Sequence, residues 1–284
     1  MAEHMVPVFS RLLVGLDGSA GAEAAMDAAI ALGRASRATI VLAAVTDVRL
    51  LEAPLLESAG PLWAEGVPVA PATADLRGVL DERAAAFLAA GSARVAAAGL
   101  AVETVRAVGL VDDELARLSE GTDAIVIGRR GDVHTMPGKI GAVTAHVIKR
   151  APRPVVVAGD RPSAFEHPVV AFDGGETSTS ALAEACRFAT ERGLPLDVVH
   201  VGAEGGDAGK VLDQAVALAA RHGVAVRTHA LAGDIVEAVA DWVARTGADV
   251  LVAGAHGGRG TPWPLGSHAE KLIRATVVPV MIHR

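Results

Sequence analysis

The chain has 284 residues, of which 51% are hydrophobic and 21% are charged, and its formal net charge is −7. These values are typical of a globular protein with one large domain or two ordinary domains, and they exclude a disordered chain. The acidic balance argues against general binding to nucleic acid or to an anionic membrane, because both favour a basic protein surface.

The cysteine content and the N-terminus predict where the protein works. The single cysteine, Cys186, cannot form an internal disulfide, which favours a reducing compartment. The segment "MAEHMVPVFS" lacks a secretion signal, and no apolar run approaches the roughly 20 residues of a membrane helix. We therefore expect a cytoplasmic protein without a membrane or nucleic-acid partner, and a buried Cys186 side chain.

Short apolar runs alternate with helical periodicity along the first part of the chain. Predicted strands cover residues 12–16, 39–45, 102–107, a run ending at Ile127, and 154–158. Predicted helices cover residues 20–35, 80–98, 112–119 and 142–149, and Ser19 is the expected N-cap of the first one. Apolar strands that alternate with helices indicate a parallel sheet with helices on both faces.

Three blocks of sequence recur in the same order. "RLLVGLDGS" at residues 11–19 matches "PVVAFDGGE" at 168–176, and "DAIVIGRRG" at 123–131 matches "DVLVAGAHG" at 249–257. "IGAVTAHVIKRAPRPVVV" then aligns without a gap with "LGSHAEKLIRATVVPVMI". The repeats predict a tandem duplication, with one domain at residues 1–160 and a second at residues 161–284.

The two copies differ by an insertion in the first. Val45 and Gly109 are 64 positions apart, whereas their counterparts Val201 and Gly233 are 32 apart. The extra residues lie at about 47–78, a segment that contains four prolines and Trp63. We interpret it as a variable surface loop, with a lid or a partner contact as the alternative.

A glycine motif, Gly-x2-Gly-x9-Gly, follows the fourth predicted strand at Gly128, Gly131 and Gly141. It matches neither the Walker phosphate loop nor the dinucleotide fingerprint. Glycines at a strand end and a helix start let the backbone approach a ligand, and free helix amides attract phosphate. Asp17 and Gly128 would flank a ligand crevice if the first and fourth strands are neighbours. The alternative is that the glycines serve close packing and that Asp17 and Asp173 are turn residues.

"VGLDGS", the glycine motif and "LGSHAEKLIRATVVPV" together resemble the universal stress protein family in its tandem form. The resemblance implies an α/β fold of two doubly wound domains packed as a pseudo-dimer, often through their last strands. Each domain would contain a five-stranded parallel sheet of order 3-2-1-4-5. Many members bind ATP: the first-strand aspartate and the end of the second strand hold adenosine, and the glycine motif, followed by Ser or Thr, holds phosphates. Other members lack the motif and bind no nucleotide.

Carried over residue by residue, the resemblance gives a set of candidate nucleotide-binding residues. They are Asp17, Val45, Gly128, Arg129, Gly131, Gly141 and Ala142 in the first copy, and Asp173, Gly254, Gly257, Gly266 and Ser267 in the second. Ala142 stands where Ser or Thr is expected, although Arg129, Arg130 or Lys139 could compensate. The second copy keeps Gly266 and Ser267, but its spacer has eight residues instead of nine. We therefore prefer the first copy as the binding site.

Three functional hypotheses remain. The first is a stress or regulatory protein that binds ATP, with Mg²⁺, and that self-associates as the intrachain pseudo-dimer or as a homodimer. The second is a scaffold of the same fold that acts without nucleotide. A dedicated enzyme is disfavoured, because neither copy contains an adenylation signature or a repeated acid/base constellation beyond the single aspartate, although slow ATP hydrolysis stays open. His134 and His256 lie in the motif loops without a partner at metal spacing, so no metal site is expected.

Overall fold

The computed structural model describes residues 8–51, 73–131, 140–202, 207–256 and 267–284. We refer to residues up to 160 as the first half and to residues from 161 as the second half. The strands of the first half are β1 Arg11–Gly15, β2 Thr39–Asp47, β3 Val102–Gly109, β4 Ala124–Ile127 and β5 Val155–Val157. Its helices are α1 Ala20–Ser36, α2 Thr73–Ala97, α3 Val111–Leu118 and α4 Ala142–Arg150.

The second half repeats the same alternation. Its strands are β6 Pro168–Ala171, β7 Leu196–Val201, β8 Val226–Leu231, β9 Val250–Gly254 and β10 Val280–His283. Its helices are α5 Glu176–Arg192, α6 Ala208–Arg221, α7 Ile235–Thr246 and α8 Ser267–Ala275.

All of these strands form one sheet, in the order β3-β2-β1-β4-β5-β10-β9-β6-β7-β8. Each half is parallel and has the order third, second, first, fourth, fifth, which is the order that the resemblance implies. The halves join through β5 and β10, which pair antiparallel, with Val157 opposite Val280. The carboxyl ends of the first-half strands and the amino ends of the second-half strands therefore lie along the same edge of the sheet.

A hydrophobic core lies on each face of the sheet. Along β1, Leu12 and Val14 pack into the core beneath α1, α2, α5 and α6, whereas Leu13 packs into the core beneath the other four helices. This alternation with period two, buried on both sides, explains why the strands are apolar throughout. The prediction of an α/β fold with helices on both faces is confirmed.

Side chains and backbone groups also cross between the halves. The rings of Phe9 and Phe188 pack with centroids 5.8 Å apart, and the Val8 amide donates to Glu191 Oε2 at 2.8 Å. A Cβ on Gly159 would overlap the Val277 carbonyl, so this glycine permits a close backbone approach beside the joining strands. The two halves therefore pack as a pseudo-dimer within one chain.

One carboxylate at the amino edge of each half has the same structural role. Asp123 Oδ2 accepts hydrogen bonds from the Ser10 and Arg11 amides at 2.6 and 2.8 Å. Asp249 Oδ1 likewise accepts from the His167 amide at 2.8 Å. These two aspartates begin the repeated blocks at residues 123–131 and 249–257. The structure shows that they fasten the fourth strand of each half to the start of its first strand.

The predictions for Ser19 and Cys186 are confirmed. Ser19 Oγ accepts a hydrogen bond from the Ala22 amide at 3.1 Å, so Ser19 caps α1. Cys186 is fully buried, and desolvation raises the pKa of its thiol to about 11. None of the helices among the described residues is both long and apolar enough to cross a membrane.

The start of the second helix differs from the prediction. Helix α2 begins at Thr73 rather than at residue 80, so it extends into the predicted insertion at residues 47–78. No proline follows Pro71 in this region, and Ala74 and Leu76 are good helix formers, so the helix extends past Gly78 toward its N-terminus. Residues 52–72, which include Trp63 and the four prolines, lie outside the described residues.

Candidate functional site

The predicted crevice lies at the carboxyl ends of β1 and β4, which are adjacent strands. Leu12 is in register with Ala124 and Val14 with Val126, so the segments that follow both strands leave the sheet at the same edge. The first-half candidates Asp17 and Gly128 stand in these segments. Strands β6 and β9 pair in the same way, which gives Asp173 and Gly254 the equivalent position in the second half.

Asp17 forms a tight turn and also contacts the glycine motif. Its Oδ1 accepts a hydrogen bond from the Ser19 amide at 2.9 Å, across Gly18, whose φ of +80° favours glycine. Its Oδ2 lies only 2.7 Å from the position that a Cβ on Gly131 would occupy. The turn interpretation of Asp17 therefore accounts for one carboxylate oxygen, and the other oxygen faces the motif.

Gly128 packs against the first turn of α1. A Cβ on Gly128 would overlap the backbone of Gly21, and a Cβ on Gly21 would overlap the carbonyl oxygen of Arg130. The loop after β4 therefore lies directly on the start of α1. Close packing, the alternative considered for the glycines, explains Gly128 without any ligand.

The two ends of the glycine motif meet in space. The Gly141 amide donates to the Arg129 carbonyl at 2.7 Å, and Thr144 Oγ1 donates to the Gly128 carbonyl at 2.8 Å. Helix α4 then begins at Ala142, which is exposed, and the preceding Gly141 supplies no side-chain cap. Residues 132–139, which include Lys139 and His134, lie outside the described residues. The described ends of the motif therefore lie together beside the crevice.

The Arg129 side chain points into the junction between the halves. Its guanidinium donates to Asp160 at 3.0 Å, to the Val278 carbonyl at 3.4 Å and to the Thr276 carbonyl. Burial lowers the pKa of Arg129, and its Nε has no partner among the described residues. Arg129 therefore reaches the motif through its backbone, while its side chain holds the second half.

The second-half aspartate is bound within its own turn. Ser178 Oγ donates to Asp173 Oδ1 at 2.6 Å, and the Gly175 amide donates to the same oxygen at 2.9 Å. A cavity of about 90 Å³ lies beside Asp173, at the ends of β6, β7 and β9, and its lining includes Val201 and Gly254. The cavity is well below the roughly 300–1000 Å³ of ligand pockets.

The rest of the second-half motif is only partly described. A Cβ on Gly254 would overlap Thr177 Oγ1, so this glycine also packs against the first turn of α5. The Thr177 hydroxyl in turn donates to the His256 carbonyl at 2.6 Å. Gly257 and Gly266 lie outside the described residues, as does the side chain of Ser267, which begins α8.

The family model described as "Universal stress protein family" matches residues 9–159 and again residues 164–284. The chain belongs to the universal stress protein family. The tandem form that the motifs suggested is therefore confirmed by two separate matches. No curated protein sequence matches this universal stress protein.

Solved structures that match 97% of this chain share its fold. A universal stress protein from Archaeoglobus fulgidus DSM 4304 is 21% identical, with a TM-score of 0.76 over 97% of this chain and 98% of that one. A protein from Pseudomonas aeruginosa PAO1 is 14% identical, with a TM-score of 0.60 over 97% of this chain and 92% of that one. A universal stress protein solved in complex with cAMP matches 42% of this chain and 97% of that one, at 24% identity and a TM-score of 0.38.

Val45 and the histidines complete the predicted set. Val45 is partly buried near the end of β2, next to β1, and pairs with Ala107 of β3. His256 contacts Thr177 through its backbone. Within the described part of this universal stress protein, no group of three or more His, Cys, Asp or Glu side chains is placed to hold a metal ion.

Proposed function

We propose that this universal stress protein is a regulatory protein that binds an adenine nucleotide, with Mg²⁺, in the crevice between β1 and β4. The observation that carries the proposal is the closed glycine motif, whose ends are joined by the hydrogen bond between Gly141 and Arg129. This closure brings the strand end and the helix start to one point beside Asp17. Phosphate sites in α/β proteins are built from such a loop and helix start.

The proposal gives separate roles to the candidate residues. Asp17 and the end of β2 at Val45 would hold the nucleoside, while the amides of Gly131, Gly141 and Ala142 would face the phosphates. Gly128 and the backbone of Arg129 would shape the loop. Ala142 lacks the expected hydroxyl, which costs roughly 0.5–1.5 kcal/mol of binding free energy. Binding is therefore weakened rather than abolished.

The first half is the stronger candidate of the two. Its motif has the nine-residue spacer, and Asp17 presents one oxygen to Gly131. In the second half, the hydroxyl of Ser178 binds Asp173 Oδ1, and the spacer is one residue shorter.

The proposal keeps the domain boundaries at residues 1–160 and 161–284. It also places the protein in the cytoplasm, since its lone cysteine is a buried free thiol.

A scaffold that binds no nucleotide is the second candidate function. It is favoured by the use of the Arg129 side chain at the junction between the halves, where it cannot compensate for Ala142. In this alternative, the contact between Gly141 and Arg129 serves packing alone, and the protein acts through its surface. Self-association beyond the intrachain pairing and slow ATP hydrolysis both stay predictions.

Nucleotide analysis of the purified and denatured protein separates the two functions. We expect an adenine nucleotide in the extract, and heat in calorimetric titrations of the nucleotide-free protein with Mg-ATP and AMP. An extract without nucleotide, together with no heat at millimolar ligand, would leave the scaffold as the function.

A pair of aspartate variants tests the preference for the first half. Asp17→Ala should weaken nucleotide binding by about tenfold, because it removes a charged acceptor from the crevice. Asp173→Ala is the matched variant of the second half, and it should change the affinity far less. If Asp173→Ala has the larger effect, the better site lies in the second half.

A further inference from the structure

A cleft of about 550 Å³ lies between the two halves, next to the proposed site. Arg130 and Ile140 line it from the first half, and Lys271 and Arg274 of α8 line it from the second half. Its volume falls within the roughly 300–1000 Å³ of ligand pockets. Neither Lys271 nor Arg274 belongs to the glycine motif of either half.

The charges in the cleft favour an anion. Lys271 and Arg274 are three positions apart on α8, so both project from the same side of the helix. Asp234 and Glu237 also line the cleft, but Asp234 Oδ1 already accepts from the Val236 and Glu237 amides at 2.9 and 3.1 Å. Arg129 also lines the cleft, but its guanidinium is paired with Asp160, so the described lining contributes three other cations against two carboxylates. The excess positive charge comes from both halves.

Arg129 fixes the two walls of the cleft relative to each other. Its backbone carbonyl closes the glycine motif, and its guanidinium binds the Thr276 carbonyl just beyond the end of α8. The Arg129 side chain is only 13% exposed, so these bonds are shielded from water. The cationic side of α8 is therefore held at a set position beside the proposed phosphate loop.

We propose that this cleft binds the terminal phosphates of a nucleoside polyphosphate whose nucleoside occupies the first-half crevice. Ile140 lines the cleft and immediately precedes Gly141 and Ala142, whose amides face the phosphates in the proposed site. A phosphate chain that continues past these amides enters the space in front of Lys271 and Arg274. The ligand thus bridges the two halves, and the second half selects a triphosphate over a monophosphate. This inference rests on the proposed function.

The test compares ATP with AMP in calorimetric titrations of the full chain. The native protein should bind ATP more tightly than AMP. In the double variant Lys271→Gln/Arg274→Gln, the ATP affinity should fall by about tenfold, because two cations leave the cleft. The AMP affinity should stay within about twofold, since a single phosphate ends at the amides.

Lys210→Gln/Arg221→Gln is the matched control. Both residues lie on α6, which covers the opposite face of the sheet, and the change in net charge is the same. It should alter neither affinity. A cleft variant that binds ATP as tightly as the native protein would overturn the inference, as would a native protein that binds AMP and ATP equally. Both results leave the proposed function standing, whereas a native protein that binds neither nucleotide removes it.

Discussion

The two halves share one fold, but different residues form the hydrogen bonds that stabilise the turn after the first strand of each half. In the first half, Ser19 caps α1 and donates its amide to Asp17. In the second half, Gly175 stands at the cap position without a side chain, and the buried Ser178 hydroxyl binds the aspartate instead. The same backbone is thus stabilised in two ways, and in the first half Asp17 Oδ2 faces Gly131 of the glycine motif.

The loop after the fourth strand differs for a related reason. Gly21 and Thr177 occupy the same position, four residues after the aspartate of each half. Without a side chain at Gly21, the first-half loop lies directly on α1, whereas in the second half a threonine hydroxyl fills this place and binds the His256 carbonyl. The residue at this one position therefore determines which groups join the loop to its helix.

Replacing Gly21 by alanine should have the largest effect on this comparison. The new Cβ would overlap the Arg130 carbonyl, and backbone atoms cannot move aside as a flexible side chain can. We expect a net loss of about 2 kcal/mol in the free energy of unfolding, after a gain of up to about 1 kcal/mol from helix propensity. Urea denaturation measures this loss.

The matched variant is Thr177→Ala in the second half. It removes the hydrogen bond to His256 but creates no overlap, so the expected loss is smaller, at about 0.5–1.5 kcal/mol. If Gly21→Ala is as stable as the native protein, the first-half loop does not depend on contact with α1.

The alternation of strands and helices was predictable because apolar runs and helical periodicity report directly on burial. The helix predicted over residues 20–35 corresponds to α1, and Ser19 was identifiable as its cap from its residue type and position. The duplication was equally visible, since the two copies retain aligned blocks.

The contacts between the halves were not predictable from the same patterns. Arg129 looked like a phosphate ligand because it lies inside the glycine motif, yet its side chain binds Asp160 and the carbonyl groups beyond α8. Periodicity carries no information about which residues meet across the joining strands. Lys271 and Arg274 were missed for the same reason, since their place in the cleft depends on the neighbouring half rather than on a local motif.

Adding the missing hydroxyl of the first half should have a moderate effect. Ala142→Ser places a hydroxyl at the exposed start of α4, where the family pattern has Ser or Thr, and should tighten nucleotide binding by about twofold to tenfold. Ser267→Ala removes the corresponding hydroxyl from the start of α8, and calorimetry should show little change in affinity. A larger loss with Ser267→Ala than gain with Ala142→Ser would move the phosphate site to the second half.

The caps of the third helix in each half should give the smallest effect. Asp234 caps α7, whereas Leu110 stands at the same place before α3 without a side-chain hydrogen bond. Leu110 already has the extended backbone of a cap, so Leu110→Asp should stabilise the protein by about 0.5–1 kcal/mol, and Asp234→Ala should destabilise it. Thermal unfolding at pH 7 measures both changes.

The pH dependence tests whether Asp234 stabilises the fold through its charge. Hydrogen bonds from the Glu237 and Val236 amides, and then the charges of Lys271 and His268, hold the pKa of Asp234 below its ordinary value. A lowered pKa means that the ionised cap stabilises the fold above the unfolded-state pKa of about 3.9 and loses this effect as pH falls through the folded-state pKa. The difference in Tm between the native protein and Asp234→Ala should therefore be constant from pH 7 to about pH 5 and shrink below about pH 4. A difference that persists unchanged in acid would show that Asp234 acts through packing rather than through its charge.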